Sequence, residues 1–226
     1  MKTALKLASA HFKLNLPKPL LLMFLMGGLM CAPNYPRIVV VMLFIMILGS
    51  LLGVTRETRS EEMFLTLPIK RVDNVKGQAL FTVSIQLIYL LCCAVGATVA
   101  LFIPFFGKTI ATSQPGLVAN VAFFGVALTV YGVFNLAFLP LYFKGGNATA
   151  SSLFIACVVG ILCAFATYGV FELLAQTVPQ FGKVLLTFGA DTLPWQFLIL
   201  FCGAVVYAAL TVWGTFFAAK RYVRGS

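Results

Sequence analysis

Apolar residues in this chain come in long blocks separated by short polar or proline-rich intervals. A helix crossing a bilayer needs roughly 20 apolar residues. Six blocks have that character: 20–32, 38–54, 78–106, 117–143, 151–175 and 195–219. The first is short for a full crossing. Pro33-Asn34-Tyr35-Pro36 separates it from the second. A helix rarely continues through the residue before a proline, so 20–54 reads as a helical hairpin with unequal arms. Pro104 lies near the end of the third block, Lys144-Gly145-Gly146-Asn147 forms a turn, and a mixed interval at 176–194 precedes the sixth. No polar interval approaches the ~50 residues of a small domain. The expected fold is all-α and integral to a membrane, with six transmembrane helices in a single domain over 1–226.

Composition turns this expectation into an exclusion. The 226 residues are 61% hydrophobic and 10% charged, with a mean hydropathy of +1.02. Soluble domains run near 45–50% apolar and about 25% charged, so too little polar surface exists here to cover a soluble globule. The 16 basic and 6 acidic residues give a net charge of +10, which in a soluble protein would suggest nucleic acid. Membrane proteins offer another cause, because their cytoplasmic loops collect Lys and Arg. With the N-terminus inside, thirteen basic residues fall on the cytoplasmic side and three, Arg37, Lys108 and Lys183, on the other. Both termini are therefore expected in the cytoplasm, and nucleic acid is not needed to explain the charge.

The N-terminus imitates a signal peptide, with a basic start and an apolar core. No small-x-small cleavage site follows, and Met30 precedes Cys31 where a lipoprotein site would want a small residue. A retained first span is expected. At about 100° per residue, Lys2, Lys6 and Lys13 gather within ~40° while Leu5, Phe12 and Leu16 lie elsewhere on the cylinder. Residues 1–17 thus read as an interfacial helix, with a plain basic tail as the alternative.

Several chemistries are missing. All six cysteines lie within predicted spans and show no metal-ligand spacing, which suits small packing residues. The single histidine, His11, is N-terminal, so neither a metalloprotease nor a Ser–His site can be assembled. Gly107-Lys108-Thr109 has Phe102 where a phosphate-binding loop needs its other glycine. Asn147-Ala148-Thr149 fits a glycosylation sequon but falls on the cytoplasmic side. Gly49 and Gly53 match the small-residue packing motif of membrane helices. Glu172 is the one acid inside a span, near its outer end, where it would meet a cationic substrate group or sit among polar groups at the interface. Gln86, Tyr89, Asn120, Thr129, Asn135 and Tyr168 are uncharged polar residues within spans. Of these, Gln86, Tyr89, Asn120 and Asn135, together with Glu172, are candidates for a substrate path; gluing helices together is the alternative role.

The sharpest feature is the interval between the second and third spans. Charges fill its first two turns from Arg56, with Arg59 three residues before Glu62. Met63, Phe64 and Leu67 then make an apolar patch, Pro68 stops the helix, a basic corner follows, and Asp73 is placed to cap the next helix. Such an amphipathic helix needs something to dock on, either headgroups or a protein partner.

The run Phe64-Leu65-Thr66-Leu67-Pro68-Ile69-Lys70-Arg71, followed by Val72, Val75 and Lys76 at the entrance to a long span, resembles the permease subunits of type-2 ABC transporters. It is especially similar to short bacterial permeases that work with a separate ATPase, including exporters of antimicrobial and amphipathic cytolytic peptides. The likeness covers the chain in topology, and the loop at 176–194 matches short helices that dip into the outer membrane surface in this fold. The resemblance implies a coupling helix over 56–67, with Glu57, Arg59, Glu61, Glu62, Met63, Phe64 and Leu65 as candidates for ATPase contact. It implies no cofactor on this chain, with ATP and Mg on the partner ATPase. A second permease copy or a sister permease would complete the pathway in a bacterial cytoplasmic membrane. The short first span departs from the family pattern. A rival of another class is a non-transporting docking, sensor or immunity component, and a channel or proton-coupled carrier ranks third.

Overall fold

The computed structural model describes residues 6, 7, 9, 17–31, 37–44, 47, 48, 71–102, 118–143, 150–187 and 189–224. Every element among them is helical. Helix α1 (Pro17–Gly28) runs into a 3-10 turn (Leu29–Cys31), and helical residues follow at 37–44, 47 and 48. The long helices are α2 (Arg71–Phe102), α3 (Val121–Tyr142) and α4 (Ala150–Thr177). A short α5 (Pro179–Leu186) and a 3-10 turn (Ala190–Thr192) then lead into α6 (Leu193–Arg224). Among the described residues, four stretches are long and apolar enough to cross a membrane: Val72–Val99, Val121–Tyr142, Phe154–Thr177 and Ala190–Tyr222. The 12 residues of α1 reach only about 18 Å at 1.5 Å per residue, well short of the ~30 Å hydrocarbon core.

Two sequence expectations need correction, for Asp73 and Arg37, and two helices run past their expected spans. The third span was expected from residue 78, but α2 already includes Arg71–Lys76, because charged residues can extend a helix beyond the hydrocarbon. Asp73 therefore lies in the first helical turn instead of capping it, where its carboxylate still favours the positive end of the helix dipole. At the other extreme α6 runs on through Lys220, Arg221 and Arg224, cations that suit a helix C-terminus. Arg37, assigned to an external loop, is instead helical and buried. The Gly49–Gly53 motif, the coupling segment 56–67 and most of the 1–17 interfacial segment lie outside the described residues.

Lipid tails are as apolar as leucine, so close packing and polar contacts hold membrane helices together. The α3–α6 contact is built on glycine. A Cβ at Gly203 would collide with the Gly125 carbonyl oxygen, and one at Gly214 would fall 2.8 Å from that of Asn135. On the opposite flank Gly96 and Gly27 let α2 and α1 approach backbone to backbone. An aromatic column fills the centre: Phe44 lies 4.8 Å from Tyr131 and 5.6 Å from Phe134, which stacks on Phe138 at 5.0 Å. These are the offset and edge-on separations aromatic rings favour. The bundle has two distinct ends. Phe143 meets Tyr222 at 5.5 Å at one of them, and α5 packs over the start of α3 and α6 at the other.

Candidate functional site: a polar stripe across the bundle

Helical spacing places Gln78, Thr82, Gln86 and Tyr89 within about 80° on one side of α2, and all four are buried. In the middle of the bundle Gln86 meets α3 and α6. Its Nε2 donates to Asn135 Oδ1 at 2.7 Å, and Asn135 Nδ2 donates back to Gln86 Oε1 at 2.9 Å. Asn135 Nδ2 also donates to Thr211 Oγ1 at 3.0 Å, and the Tyr207 hydroxyl donates to Gln86 Oε1 at 2.7 Å. Three helices are thus tied at one level by side-chain amides and hydroxyls. Tyr89 turns elsewhere: it donates to the Val40 carbonyl, as Tyr131 does to that of Val41 at 2.8 Å. Two tyrosines on different helices therefore fasten the 37–44 segment.

The other half of the stripe is unsatisfied. Gln78 Nε2 and Thr82 Oγ1 are buried and have no hydrogen-bond partner. The contrast with neighbouring threonines is direct. Thr98, Thr129, Thr167, Thr177 and Thr215 all return their hydroxyls to the carbonyl four residues back, the usual way a helix quiets a threonine. Thr82 does not. Arg37 also stands out, since its Nη1 and Nη2 are buried without a hydrogen-bond partner.

At the α5 end, amides clamp backbone carbonyls. Asn120 Oδ1 accepts from Phe123 N–H at 3.0 Å, capping α3. Its Nδ2 is shared among the carbonyls of Val184, Leu185 and Thr187 at 3.0, 3.3 and 3.1 Å. Gln196 on α6 reaches Val184 and Thr187 from the other side and donates to Thr192 Oγ1 at 3.0 Å. These bonds satisfy carbonyls that a helix C-terminus leaves orphaned.

Of the path candidates, then, Gln86 and Asn135 pair directly, Tyr89 binds the 37–44 segment, Asn120 clamps α5, and Glu172 stands half-exposed late in α4. Sequence reasoning passed over Gln78, Thr82, Gln196, Tyr207, Thr211 and Arg37. A signal existed for four of them: Gln78 and Thr82 continue the face of Gln86 at four-residue steps, and Tyr207 and Thr211 are four apart in the last span.

The model of ABC-2 family transporter proteins matches residues 11–222. The chain belongs to that family. No curated relative and no solved structure matches it. An ABC-2 protein is a multi-pass permease subunit of an ABC transporter, a transport component with an ABC ATPase as its family partner. The polar stripe therefore lies inside a permease.

Proposed function

We propose that this permease works in an ATP-driven exporter that moves amphipathic or hydrophobic cargo, such as antimicrobial or cytolytic peptides, outward. The observation that carries the reading is the half-satisfied stripe on α2. Unsatisfied polar groups within a membrane are costly, so two that persist on one helix face favour a lining role over packing. Gln78 and Thr82 are the buried, unsatisfied part of such a pathway, and Gln86–Asn135–Tyr207–Thr211 is the latch above it. When the helices part, the latch amides join the lining, so alternating access exposes the stripe from one end and then the other.

The orientation follows from charge. Counting along α2 and α6 from the Gln86–Thr211 level at about 1.5 Å per residue, Arg71 and Lys76 lie at the same end as Lys220, Arg221 and Arg224. Lys183 lies at the α5 end. The positive-inside rule favours the first end as cytoplasmic, and the proposed topology adds six crossings, both termini inside and a bacterial cytoplasmic membrane as the setting. The helix proposed at 56–67 then meets the ATPase through Glu57, Arg59, Glu61, Glu62, Met63, Phe64 and Leu65. ATP and Mg are handled on that partner, and a second permease copy or a sister permease completes the pathway.

The test is ATP hydrolysis and peptide efflux by the permease reconstituted with its ATPase, with and without amphipathic peptides. Peptide should stimulate hydrolysis. Charge reversal at Glu61 and Glu62, or Phe64→Asp, should uncouple efflux from hydrolysis in a protein that still folds. Normal efflux in those variants would overturn the coupling assignment, and a lack of response to peptide would remove the cargo class.

A further inference from the structure

A second site lies at the α5 end, away from the stripe. Between α5, the 3-10 turn and the first turns of α6 is a partly open cleft of about 580 Å³, within the roughly 300–1,000 Å³ of ordinary ligand sites. One rim carries Gln180 and Lys183 and the other Asp191, all exposed, while Phe181, Ile199 and Leu198 form the apolar floor and wall. The cleft is built, not incidental. Asn120 and Gln196 pin the carbonyls of Val184 and Thr187 from two helices, which fixes α5 against α6. Lys183 and Asp191 form no ion pair in this structure. They present one cation and one anion at the mouth of the same apolar groove.

The groove also has an exit. Trp195, Leu198, Phe201 and Val205 are all exposed, and their three- and four-residue spacing makes a continuous apolar strip down α6 from the cleft. Trp195 at the top of that strip has the amphipathic ring that favours the membrane–water boundary. A charged pair at the boundary above an apolar strip matches a molecule with a zwitterionic head and an acyl tail.

We propose that this cleft binds a zwitterionic phospholipid: the phosphate at Lys183, the ammonium at Asp191, the glycerol region beside Trp195 and Gln180, and one acyl chain along Leu198, Phe201 and Val205. A purely anionic lipid would satisfy Lys183 and set its charge against Asp191. A diacylglycerol would leave both charges unmet. The proposal rests on the chain's membrane residence and not on the direction or cargo of transport, so it is measured without nucleotide.

The experiment is native mass spectrometry of the full chain in detergent. Phosphatidylethanolamine, phosphatidylglycerol and diacylglycerol are supplied in turn, with soluble phosphorylethanolamine as the arm that tests the head alone. Trp195 emission is followed in parallel on a Trp213→Phe background, with lipids brominated on the upper acyl chain. Phosphatidylethanolamine should be retained best and should quench Trp195. The value of a charge-assisted bond sets the expected loss at about tenfold for Lys183→Gln. Asp191→Asn should lower phosphatidylethanolamine to the phosphatidylglycerol level without weakening phosphatidylglycerol. Both residues are exposed, and helical content measured by circular dichroism checks that the variants fold. Equal retention of all three lipids, or quenching indifferent to both substitutions, would reduce the site to annular lipid and overturn the proposal. So would a preference for phosphatidylglycerol. Binding of soluble phosphorylethanolamine as tight as the lipid would overturn the acyl-chain half.

Discussion

Gln86 and Thr82 are one turn apart on the same side of α2, and both are fully buried, yet their polar atoms meet opposite fates. Gln86 exchanges hydrogen bonds with Asn135 and accepts one from Tyr207. The Thr82 hydroxyl and the Gln78 amide nitrogen beyond it have no partner. Burial is equal, so burial cannot tell the two apart; satisfaction does. A paired group in the membrane holds helices together, for an average of about 0.6 kcal/mol per interaction. An unpaired one costs stability and persists where it serves something other than cohesion. On this reading one helix face carries both the lock of the bundle and the surface that the lock guards.

The harshest way to break the contrast is to force the paired half open. Gly214 faces the Asn135 and Leu136 backbone, so Gly214→Val would wedge α6 away from α3 and strip Asn135 of Thr211. Overpacking costs about 1–3 kcal/mol, and the lost bonds add to it; a total near 3 kcal/mol is expected in reversible unfolding from mixed micelles. A change at exposed Phe201 on the same helix, Phe201→Leu, should stay within about 0.5 kcal/mol.

Asn135→Leu comes next. It orphans the Gln86 Nε2, leaves Gln86 Oε1 with Tyr207 alone, and removes the bond to Thr211, for an expected loss of about 1–3 kcal/mol. The double variant with Gln86→Leu should cost less than the two single losses added, with a coupling energy of roughly 0.5–2 kcal/mol. Strict additivity in that cycle would mean the amides do not act as a pair.

The blocks of hydropathy carried the helices. Four of the six predicted spans return as α2, α3, α4 and α6 with shifted ends, and the short first block returns as the short α1. What hydropathy could not carry is which face meets protein. Val121–Tyr142 is mostly buried and Ala190–Tyr222 mostly exposed, although both read as equally plain spans. The difference lies in neighbours: α3 packs against α6 and α4 and takes the 37–44 segment through Tyr131 and Phe134, whereas α6 turns Phe201, Val212, Trp213 and Phe216 outward. Gln86 and Asn135 were visible as polar residues within spans. Their pairing was not, because 49 residues separate them and only the packed bundle brings them together. Arg37 shows the limit from the other side: a cation beside Pro36 reads as a loop, and only the fold buries it.

Tyr207→Phe is a gentler probe of the paired half. It removes one hydroxyl and leaves the ring, while Gln86 Oε1 keeps Asn135 as a donor. The expected cost is about 0.6–1 kcal/mol. A loss as large as that of Asn135→Leu would make the tyrosine, and not the amide pair, the centre of the latch.

The smallest effect on stability is the one that tests the unpaired half. Thr82→Val keeps the shape of the side chain and deletes a buried hydroxyl with nothing to bond, so the variant should be neutral or more stable by up to about 1 kcal/mol. Gln78→Leu should behave alike. If the stripe is the guarded surface, both changes should alter how peptide stimulates ATP hydrolysis in the reconstituted transporter while leaving the basal rate in place. Destabilisation by either substitution would mean that Gln78 and Thr82 hold helices together after all, and the division of α2 into lock and guarded surface would fail. Unchanged stability with an unchanged peptide response would detach the stripe from transport.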